Sequence, residues 1–434
     1  MFSPQMKPTG NGRSFMDRAK PFEIPKREVW EAFKSVRANR GAAGVDGQSI
    51  EAFEADLEDN LYKLWNRLSS GSYFPLPVRR VDIPKGEGKT RPLGIPTVAD
   101  RIAQMVVKRY LEPLVEPIFH EDSYGYRPGK SALDAVGVAR QRCWRTDWVL
   151  DLDIKSFFDS IDRDKLMAAV RKHTDCRWVL LYIERWLRAP MQMADGSLVE
   201  REKGTPQGGV ISPLLANLFL HYAFDVWMRR NHPDIAFERY ADDAICHCRS
   251  EAQAVALRAS LEKRFAECGL ALHPEKTKIV YCKDDDRAGN YPNQSFDFLG
   301  YTFRPRRVKR RDGKLGVSFT PAIGNKALRR IRQTVRRWAF HRHSEWSLEG
   351  LAERINPAMR GWINYYGRFN RSALLPIYNH VDDRLARWAN WKFKSFKRSR
   401  VQAYAWLRRI KRKQPGLFTH WHFYRMLGQT MGAV

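Results

Sequence analysis

Positive charge is concentrated at one end of this 434-residue chain, which carries a formal net charge of +28. Residues 301–434 contain 31 Lys and Arg but only 6 Asp and Glu, a net of +25, whereas residues 1–300 have a net of +3. Seven of the 14 Trp lie in the same basic third. Because a disordered tail is poor in aromatic residues, this composition predicts a folded region rather than a solubilising tail. Cations interleaved with aromatic rings favour a nucleic acid as the partner.

The remaining composition is that of a folded protein that is neither secreted nor embedded in a membrane. Hydrophobic residues make up 43% of the chain, which is enough for a sizeable core. The six Cys show no regular spacing, so we expect no disulfide scaffold and a reducing compartment. There is no run of about 18 apolar residues, and Met1–Arg13 lacks a signal-peptide core. We therefore expect a soluble cytoplasmic protein with no membrane partner.

Strand signals and helix signals occupy different parts of the sequence, which predicts an α+β fold. Up to Phe303, apolar alternation predicts a strand at Trp148–Ile154, a hairpin at Ala236–Cys248 and a strand at Lys278–Tyr281. A long apolar helix is expected to begin at Ser212 and Pro213, with Ser212 as the N-cap. After Phe303 the strand signals fade. Basic amphipathic helices are predicted there, at Lys326–Phe340, Leu348–Phe369, Pro376–Phe396 and Arg400–Lys413.

These signals also predict where the chain divides. The expected parts are a loose leader at 1–25, a mixed body at 26–305, a basic connector at 306–322, a helical region at 323–413 and a short C-terminal nucleic-acid-binding tail at 414–434.

Acidic residues occur within two predicted strands, where a fold usually avoids them. Strand periodicity places Asp151 and Asp153 on one face and does not choose between them. Asp242 and Asp243 are adjacent, at a plausible hairpin tip. Neighbouring carboxylates repel unless a cation is shared, and Mg²⁺ takes carboxylate oxygens together with substrate phosphates. The pattern therefore points to metal-assisted chemistry at phosphorus, although an Asp-Asp pair alone is also common in surface turns.

Two glycine-containing loops have the composition of phosphate or nucleotide contacts. Lys85 and Arg91 flank a basic Gly loop and could neutralise phosphates. Further along, Gln207 offers an amide, and Gly208 and Gly209 allow a close approach of backbone to a ligand. For the first loop a solvated hairpin is the alternative, and for the second a purely structural turn.

Two motifs carry a resemblance to a known family. Tyr240-Ala241-Asp242-Asp243 resembles the reverse-transcriptase signature, and Asp153-Ile154-Lys155-Ser156-Phe157-Phe158-Asp159 resembles the acidic motif upstream of it. The pattern is most similar to bacterial group II intron-encoded reverse transcriptases and maturases, in order from about Arg37 to Phe423. The resemblance implies a right-hand polymerase, with fingers, palm and an N-terminal extension over 26–305. An all-helical thumb and maturase region would follow.

The resemblance also implies roles for individual residues, and it favours Asp153 over Asp151. It implies catalytic Asp153, Asp242 and Asp243, and two Mg²⁺ ions held by Asp153, Ile154, Asp242 and Asp243. The dNTP-binding residues would be Lys85, Arg91, Phe158, Gln207 and Gly208, with the Phe158 ring excluding the ribose 2′-hydroxyl. Template, primer or RNA contacts would come from Arg127, Lys130, Gly209, Arg360, Lys392, Lys394, Lys397 and Arg398.

The implied activity is two-metal nucleotidyl transfer to a primer 3′-hydroxyl, with dNTPs, an RNA template and a DNA primer or target DNA. Binding of a group II intron RNA would assist splicing and retrohoming. A chiefly non-catalytic splicing cofactor and a domesticated or defence-linked enzyme without an intron remain as alternatives, and the oligomeric state is open. We expect no C-terminal endonuclease domain, because no Cys follows Cys282 and neither His420 nor His422 has an evident carboxylate partner.

Overall fold

The computed structural model describes residues 20–86, 89–309, 313–396 and 399–423. None of the helices described there is long and apolar enough to cross a membrane.

The described helices alternate with strands up to residue 323, and from there on only helices follow. The helices are α1 (Lys26–Asn39), α2 (Ile50–Glu54), α3 (Leu57–Ser70), α4 (Val98–Val115), α5 (Ala132–Cys143), α6 (Phe157–Ser160), α7 (Arg163–Arg171), α8 (Arg177–Arg188), α9 (Ser212–Leu220), α10 (Val226–Asn231), α11 (Glu251–Glu267), α12 (Asn325–Arg337), α13 (Leu348–Tyr366), α14 (Leu375–Lys392) and α15 (Arg400–Lys413). The strands are β1 (Val78–Gly86), β2 (Lys89–Ile95), β3 (Trp148–Asp153), β4 (Met191–Gln192), β5 (Leu198–Val199), β6 (Ala236–Tyr240), β7 (Asp243–Cys248), β8 (Lys278–Tyr281), β9 (Phe296–Phe298), β10 (Tyr301–Lys309) and β11 (Leu315–Ile323).

The strands form three sheets, with the orders β2-β1-β4-β5, β6-β7-β3-β8 and β11-β10-β9. Every pairing is antiparallel except that of β1 with β4. Helices and antiparallel sheets together confirm the expected α+β class.

The chain forms two compact units, and it passes between them several times. The first unit consists of Met1–Pro128, Ile154–Asp234 and Ser260–His273, and the second of Gly129–Asp153, Ile235–Ala259 and Pro274–Val434. The strands that carry the predicted catalytic acids lie in the second unit, and the glycine loops lie in the first. The units therefore follow the sheets rather than the order of the sequence.

A buried carboxyl group anchors the start of α4 in the first unit. Asp100 is 2% exposed and accepts hydrogen bonds from the Tyr73 hydroxyl at 2.5 Å, the Thr97 hydroxyl at 3.1 Å and Trp186 Nε1 at 3.4 Å. Thr97 in turn caps the helix by accepting from the Asp100 backbone N–H. Burial raises the pKa of Asp100 to about 6, although these hydrogen bonds oppose the shift.

Asp100→Asn is expected to change how stability depends on pH. The folded-state pKa is above the ordinary value, so ionised Asp100 opposes folding. The stability that the protonated carboxyl group contributes is lost as pH rises through about 6. Between about pH 4 and about pH 7 the free energy of unfolding of the variant should gain ~2–3 kcal/mol relative to the wild type. Urea unfolding of both proteins across this range is the measurement. A constant difference between them would contradict the assignment.

The β6–β7 hairpin of the second unit is as predicted. Tyr240 pairs with Asp243, and the turn between them contains Ala241 in the left-handed region, at φ 57°. The guanidinium of Arg239, which is 1% exposed, donates to the Ala241 carbonyl at 3.0 Å. Buried Glu238 pairs with Arg142 of α5 and contacts His247 of β7. Arg239 therefore holds the acidic turn, and Glu238 ties β6 to β7 and α5.

Two expectations about secondary structure are wrong. The strands do not end near Phe303, because residues 306–309 continue β10 and residues 315–322 lie in β11, with which β10 pairs. Pro305 and the arginines of β10 hid the alternation. β9 pairs with β10 only as far as Phe303, so Pro305 lies on a part of β10 that pairs with β11 alone, where a missing backbone N–H is tolerated. Ser212 is also not the N-cap of α9. Ile211 holds that position, and the Ser212 hydroxyl accepts a hydrogen bond from Thr205.

The four predicted basic helices are confirmed as α12 to α15.

The expectation that His420 lacks a carboxylate partner is wrong, because its Nε2 lies 2.9 Å from Asp382 Oδ1. The same oxygen accepts from Trp421 Nε1 at 2.8 Å, and Lys411 pairs with the other oxygen at 3.2 Å. The segment after α15 is thus attached to α14 by one half-buried carboxylate, which sequence spacing could not reveal.

Candidate active site

The sheet β6-β7-β3-β8 brings acidic side chains onto one face. Asp153 on β3 pairs directly with Asp243 on β7, and side chains opposite each other in this way have Cβ atoms about 5 Å apart. Asp151 lies two residues earlier on β3 and therefore on the same face, as alternation predicted. All three, with Asp242 of the turn, line a cavity of about 460 Å³.

Burial and mutual repulsion oppose ionisation of these groups together. The pKa of Asp243 is raised well above its ordinary value, first by burial and then by the carboxylates of Asp151, Asp242 and Asp153. The pKa of Asp151 is raised to about 7 by burial, by Asp153 and by Asp297. A cation shared among the carboxylates would relieve this repulsion.

Lysine side chains supply part of the required positive charge. Lys276 Nζ lies 3.2 Å and 3.1 Å from the two carboxylate oxygens of Asp153, and Lys278 and Lys326 line the same cavity. In the described part of the chain, no three carboxylate, imidazole or thiolate groups already form a metal-binding set. The donor chemistry nevertheless fits Mg²⁺, which takes hard oxygen ligands and needs one or two protein carboxylates.

Sequence analysis did not single out Asp297 or these lysines. Asp297 is exposed between buried Phe296 and Phe298 on β9, so alternation within the strand was a signal that could have found it. The lysines carry no comparable signal, because their position depends on how strands from separate segments assemble.

In the first unit, the glycine loop before α9 brings three predicted nucleotide-binding residues together. Gln207 Oε1 accepts from Arg91 Nε at 2.6 Å, and the Gln207 carbonyl accepts from Gly94 N at 2.7 Å. Gly208 has φ +118°, and a Cβ there would overlap the Gly94 carbonyl oxygen. Gln104 of α4 holds the other end by accepting from the loop backbone at 2.7 Å. No sequence pattern marked Gln104.

The same loop holds the backbone of Phe158. The Phe158 carbonyl accepts from Thr205 N at 2.8 Å, and a Cβ at Gly204 would overlap that carbonyl oxygen. The Phe158 side chain is 5% exposed. Ile154, predicted for the metal site, is also buried, and the side chain of Lys85 lies outside the described residues.

Some predicted template contacts occupy other roles in the structure. The Arg127 guanidinium donates to two backbone carbonyls of its own loop at 2.7 Å and pairs with Glu116 at 2.7 Å. Arg127 therefore stabilises the loop instead of presenting a cation to solvent. Gly209 is buried in the glycine loop, and Lys130 is half-buried just before α5.

Some of the RNA contacts predicted in the helical region also have structural roles, and others are exposed. Lys392 Nζ donates to two backbone carbonyls of the turn before α13, at 3.0 Å and 2.5 Å, so it is a structural anchor. Arg360 and Lys394 are exposed. Lys397 and Arg398 lie outside the described residues.

A strongly basic exposed surface lies on α12, where sequence analysis named no contact. Ala327, Ile331 and Val335 are buried. Within the described residues, the exposed arginines of α12 make no ion pair with a carboxylate. They are Arg329, Arg330, Arg332, Arg336 and Arg337. The signal was available in the sequence, as a run of arginines around three apolar residues at helical spacing.

Comparisons with known proteins agree with this geometry. Residues 83–303 match the family model described as reverse transcriptase (RNA-dependent DNA polymerase). This chain belongs to the reverse transcriptase family. Residues 328–414 of this reverse transcriptase match the group II intron, maturase-specific domain, which implies an intron RNA as a partner. The resemblance is confirmed, as are a right-hand polymerase fold and RNA-directed DNA polymerase activity.

Curated relatives match different shares of this chain. The chain is 34% identical to protein YkfC of Escherichia coli over 331 residues, 67% of this chain and 83% of that protein. It is 34% identical over 193 residues to group II intron-encoded protein LtrA of Lactococcus lactis, 44% of this chain and 32% of that protein. Nuclear intron maturase 4 of Arabidopsis thaliana is 22% identical over 63% of this chain and 32% of its own length.

Proposed function

We propose that this reverse transcriptase adds dNTPs to a primer 3′-hydroxyl along an RNA template, and that it binds its own group II intron RNA to assist splicing and retrohoming. The observation that carries the proposal is the direct pairing of Asp153 with Asp243 across β3 and β7, where burial and then repulsion among carboxylates raise the pKa of Asp243. Target DNA or a DNA primer, the RNA template and dNTPs are the proposed substrates.

The residues of the second unit divide the catalytic work. Asp153, Asp242 and Asp243 are the proposed catalytic carboxylates and metal ligands. Ile154, which follows Asp153 and belongs to the first unit, is a further proposed metal ligand. Two Mg²⁺ ions held there would supply activation of the primer 3′-hydroxyl and stabilisation of the leaving pyrophosphate. Arg239 fixes the turn that carries Asp242, through its bond to the turn carbonyl.

The glycine loop and the β1–β2 hairpin of the first unit are the proposed nucleotide-binding elements. Arg91 would neutralise phosphate while its bond to Gln207 fixes both side chains. Gly208 keeps the loop backbone close to β2 and leaves its outer face open to a ligand. Phe158, with its backbone tied to this loop, would exclude a ribose 2′-hydroxyl.

We assign the fingers and palm, with an N-terminal extension, to residues 26–305, and the thumb and maturase region to 323–413. The match to a maturase-specific domain favours an intron-associated function over a reverse transcriptase without an intron. Extension of a DNA primer on an RNA template tests the polymerase proposal. A protein that binds this hybrid without extending it would favour a non-catalytic splicing cofactor.

Neutralising one face of α12 is expected to weaken binding of the intron RNA and leave polymerisation intact. Arg329→Gln, Arg332→Gln and Arg336→Gln together remove three exposed cations spaced along the helix. The slope of log affinity against log salt should fall by about 2–3, since each lost phosphate contact removes ~0.7–0.9. Filter binding over a salt series is the measurement.

Asn325 and Gln333, on the same helix, give a charge-neutral control when both are changed to Ala. An unchanged salt slope in the triple Gln variant would show that α12 does not contact the RNA.

A further inference from the structure

An open cavity of about 730 Å³ lies against one side of α15, in the helical part of the second unit. Phe396 and Trp406 supply its aromatic surface. Gln402, Arg409, Arg412 and Lys413 surround these rings from α15. At helical spacing these four residues extend along one stripe, so the cavity is a groove with an aromatic floor and a basic wall.

The aromatic floor is held rigidly from behind. The ring centroid of Trp406 lies 5.3 Å from that of Phe393, 6.0 Å from that of Phe396 and 6.5 Å from that of Trp388. Trp388 is buried, and its Nε1 donates to the His343 carbonyl at 2.9 Å. Trp406 itself is half-buried, so one part of its ring is fixed in this cluster and the rest faces the groove. Such a platform needs little further ordering when a planar group stacks on it.

The charge around the groove has one sign. Among the described residues, its lining contains no carboxylate. The two acids of α14 are committed elsewhere, Asp382 to Lys411 and Asp383 to Arg387 and Arg400. The cations of the groove wall thus remain available to a polyanion.

We infer that this groove binds one unpaired nucleotide of an RNA strand. The base stacks on Trp406, the Gln402 amide contacts the base edge, and Arg409 and Lys413 contact the flanking phosphates. A duplex offers the same phosphates but hides the faces of its bases, so the aromatic floor favours an unpaired nucleotide. This inference rests on the proposed function in one respect, which is that the strand belongs to the intron RNA.

The test uses the full chain with its polymerase cleft saturated by an RNA–DNA primer–template hybrid. The probe is an adenosine RNA octamer with one 4-thiouridine. Trp406→Ala should weaken binding about 5- to 100-fold, which is the range for loss of one stacked base, and Trp406→Phe should retain most of the affinity. Trp391→Ala is the matched control, since Trp391 is 67% exposed and does not line the groove. Arg409→Gln should lower the salt slope by ~0.7, whereas Trp406→Ala should leave it unchanged.

Photo-cross-linking of the same octamer locates the contact. The cross-link should fall on the peptide that contains Trp406 and be lost in Trp406→Ala. Cross-links confined to other peptides, or an RNA duplex that binds as tightly and loses as much affinity in Trp406→Ala, would overturn the inference.

A second pair of variants keeps the inference testable if the Trp406 variants do not fold. Ala405 is exposed on the groove wall, so Ala405→Glu adds a carboxylate there without touching the aromatic cluster, and Ala405→Gln is its neutral counterpart. The Glu variant should bind the octamer about tenfold more weakly than the Gln variant at low salt. Equal binding by both, together with wild-type binding by Trp406→Phe and Trp406→Ala, would exclude the groove. If the α12 variant loses intron binding and the groove variants do not, the proposed function stands and this inference fails.

Discussion

Asp243→Asn is expected to abolish RNA-templated DNA synthesis while leaving the fold intact. The carboxylate faces Asp153 across β3 and β7 and is crowded by Asp151 and Asp242. Removing one charged ligand should lower the rate of nucleotide addition at least ~10³-fold, equivalent to ~4 kcal/mol of transition-state stabilisation. Single-turnover extension of a DNA primer on an RNA template is the measurement.

The stability of this variant provides the control. The pKa of Asp243 is raised in the folded state, so its ionised form opposes folding, and that penalty grows as pH rises through the folded-state pKa. In the presence of a chelator at about pH 8, Asp243→Asn should therefore melt no lower than the wild type. Wild-type extension by Asp243→Asn would remove Asp243 from the catalytic set. A large fall in melting temperature would instead mean that the lost activity reports unfolding.

Gly208→Ala is expected to damage nucleotide addition severely through backbone geometry alone. Gly208 has φ +118°, and an added Cβ would overlap the Gly94 carbonyl oxygen on β2. The loop must therefore shift, and with it Gln207 and its bond to Arg91. Because a displacement of about 1 Å can cost ~10²-fold, catalytic efficiency should fall by roughly that factor, with a raised KM for the dNTP.

Gly196→Ala is the matched control for this prediction. Gly196 also has a positive φ, +84°, but nothing lies within 4 Å of the position its Cβ would take. This variant carries backbone strain of ~1–2 kcal/mol without the clash, and its dNTP KM should match the wild type. If Gly208→Ala also kept a wild-type KM, the glycine loop would not be part of the nucleotide site.

Local periodicity was enough to predict the acidic strands and the basic helices. Alternation placed Asp151 and Asp153 on one face because a strand has a period of two, whatever its neighbours are. The turn at Asp242 followed from the poor fit of adjacent acids within a strand. The apolar spacing of α12 to α15 likewise depends only on residues three and four apart.

The same patterns could not predict which groups each side chain contacts. Lys392 was predicted to contact RNA, yet it binds backbone carbonyls about 46 residues away in the sequence. Arg127 and His420 also find partners that depend on the assembled fold. The β10–β11 hairpin was missed because Pro305 and its neighbouring arginines suppress the strand signal, and this part of β10 is a strand only through its pairing with β11. In each case the residue type indicated what kind of contact was possible, whereas the actual partner could be identified only from the tertiary structure.

The most direct test of the account is addition of a single nucleotide by the wild-type protein to a DNA primer on an RNA template. Each of the four dNTPs is supplied in turn, over a titration of Mg²⁺ and with a chelator. The predicted result is rapid addition of the complementary dNTP alone, dependent on Mg²⁺ and abolished by the chelator. Undiminished addition in the chelator would contradict a catalytic role for cations held by Asp153 and Asp243, and no addition at any Mg²⁺ concentration would contradict the polymerase assignment itself.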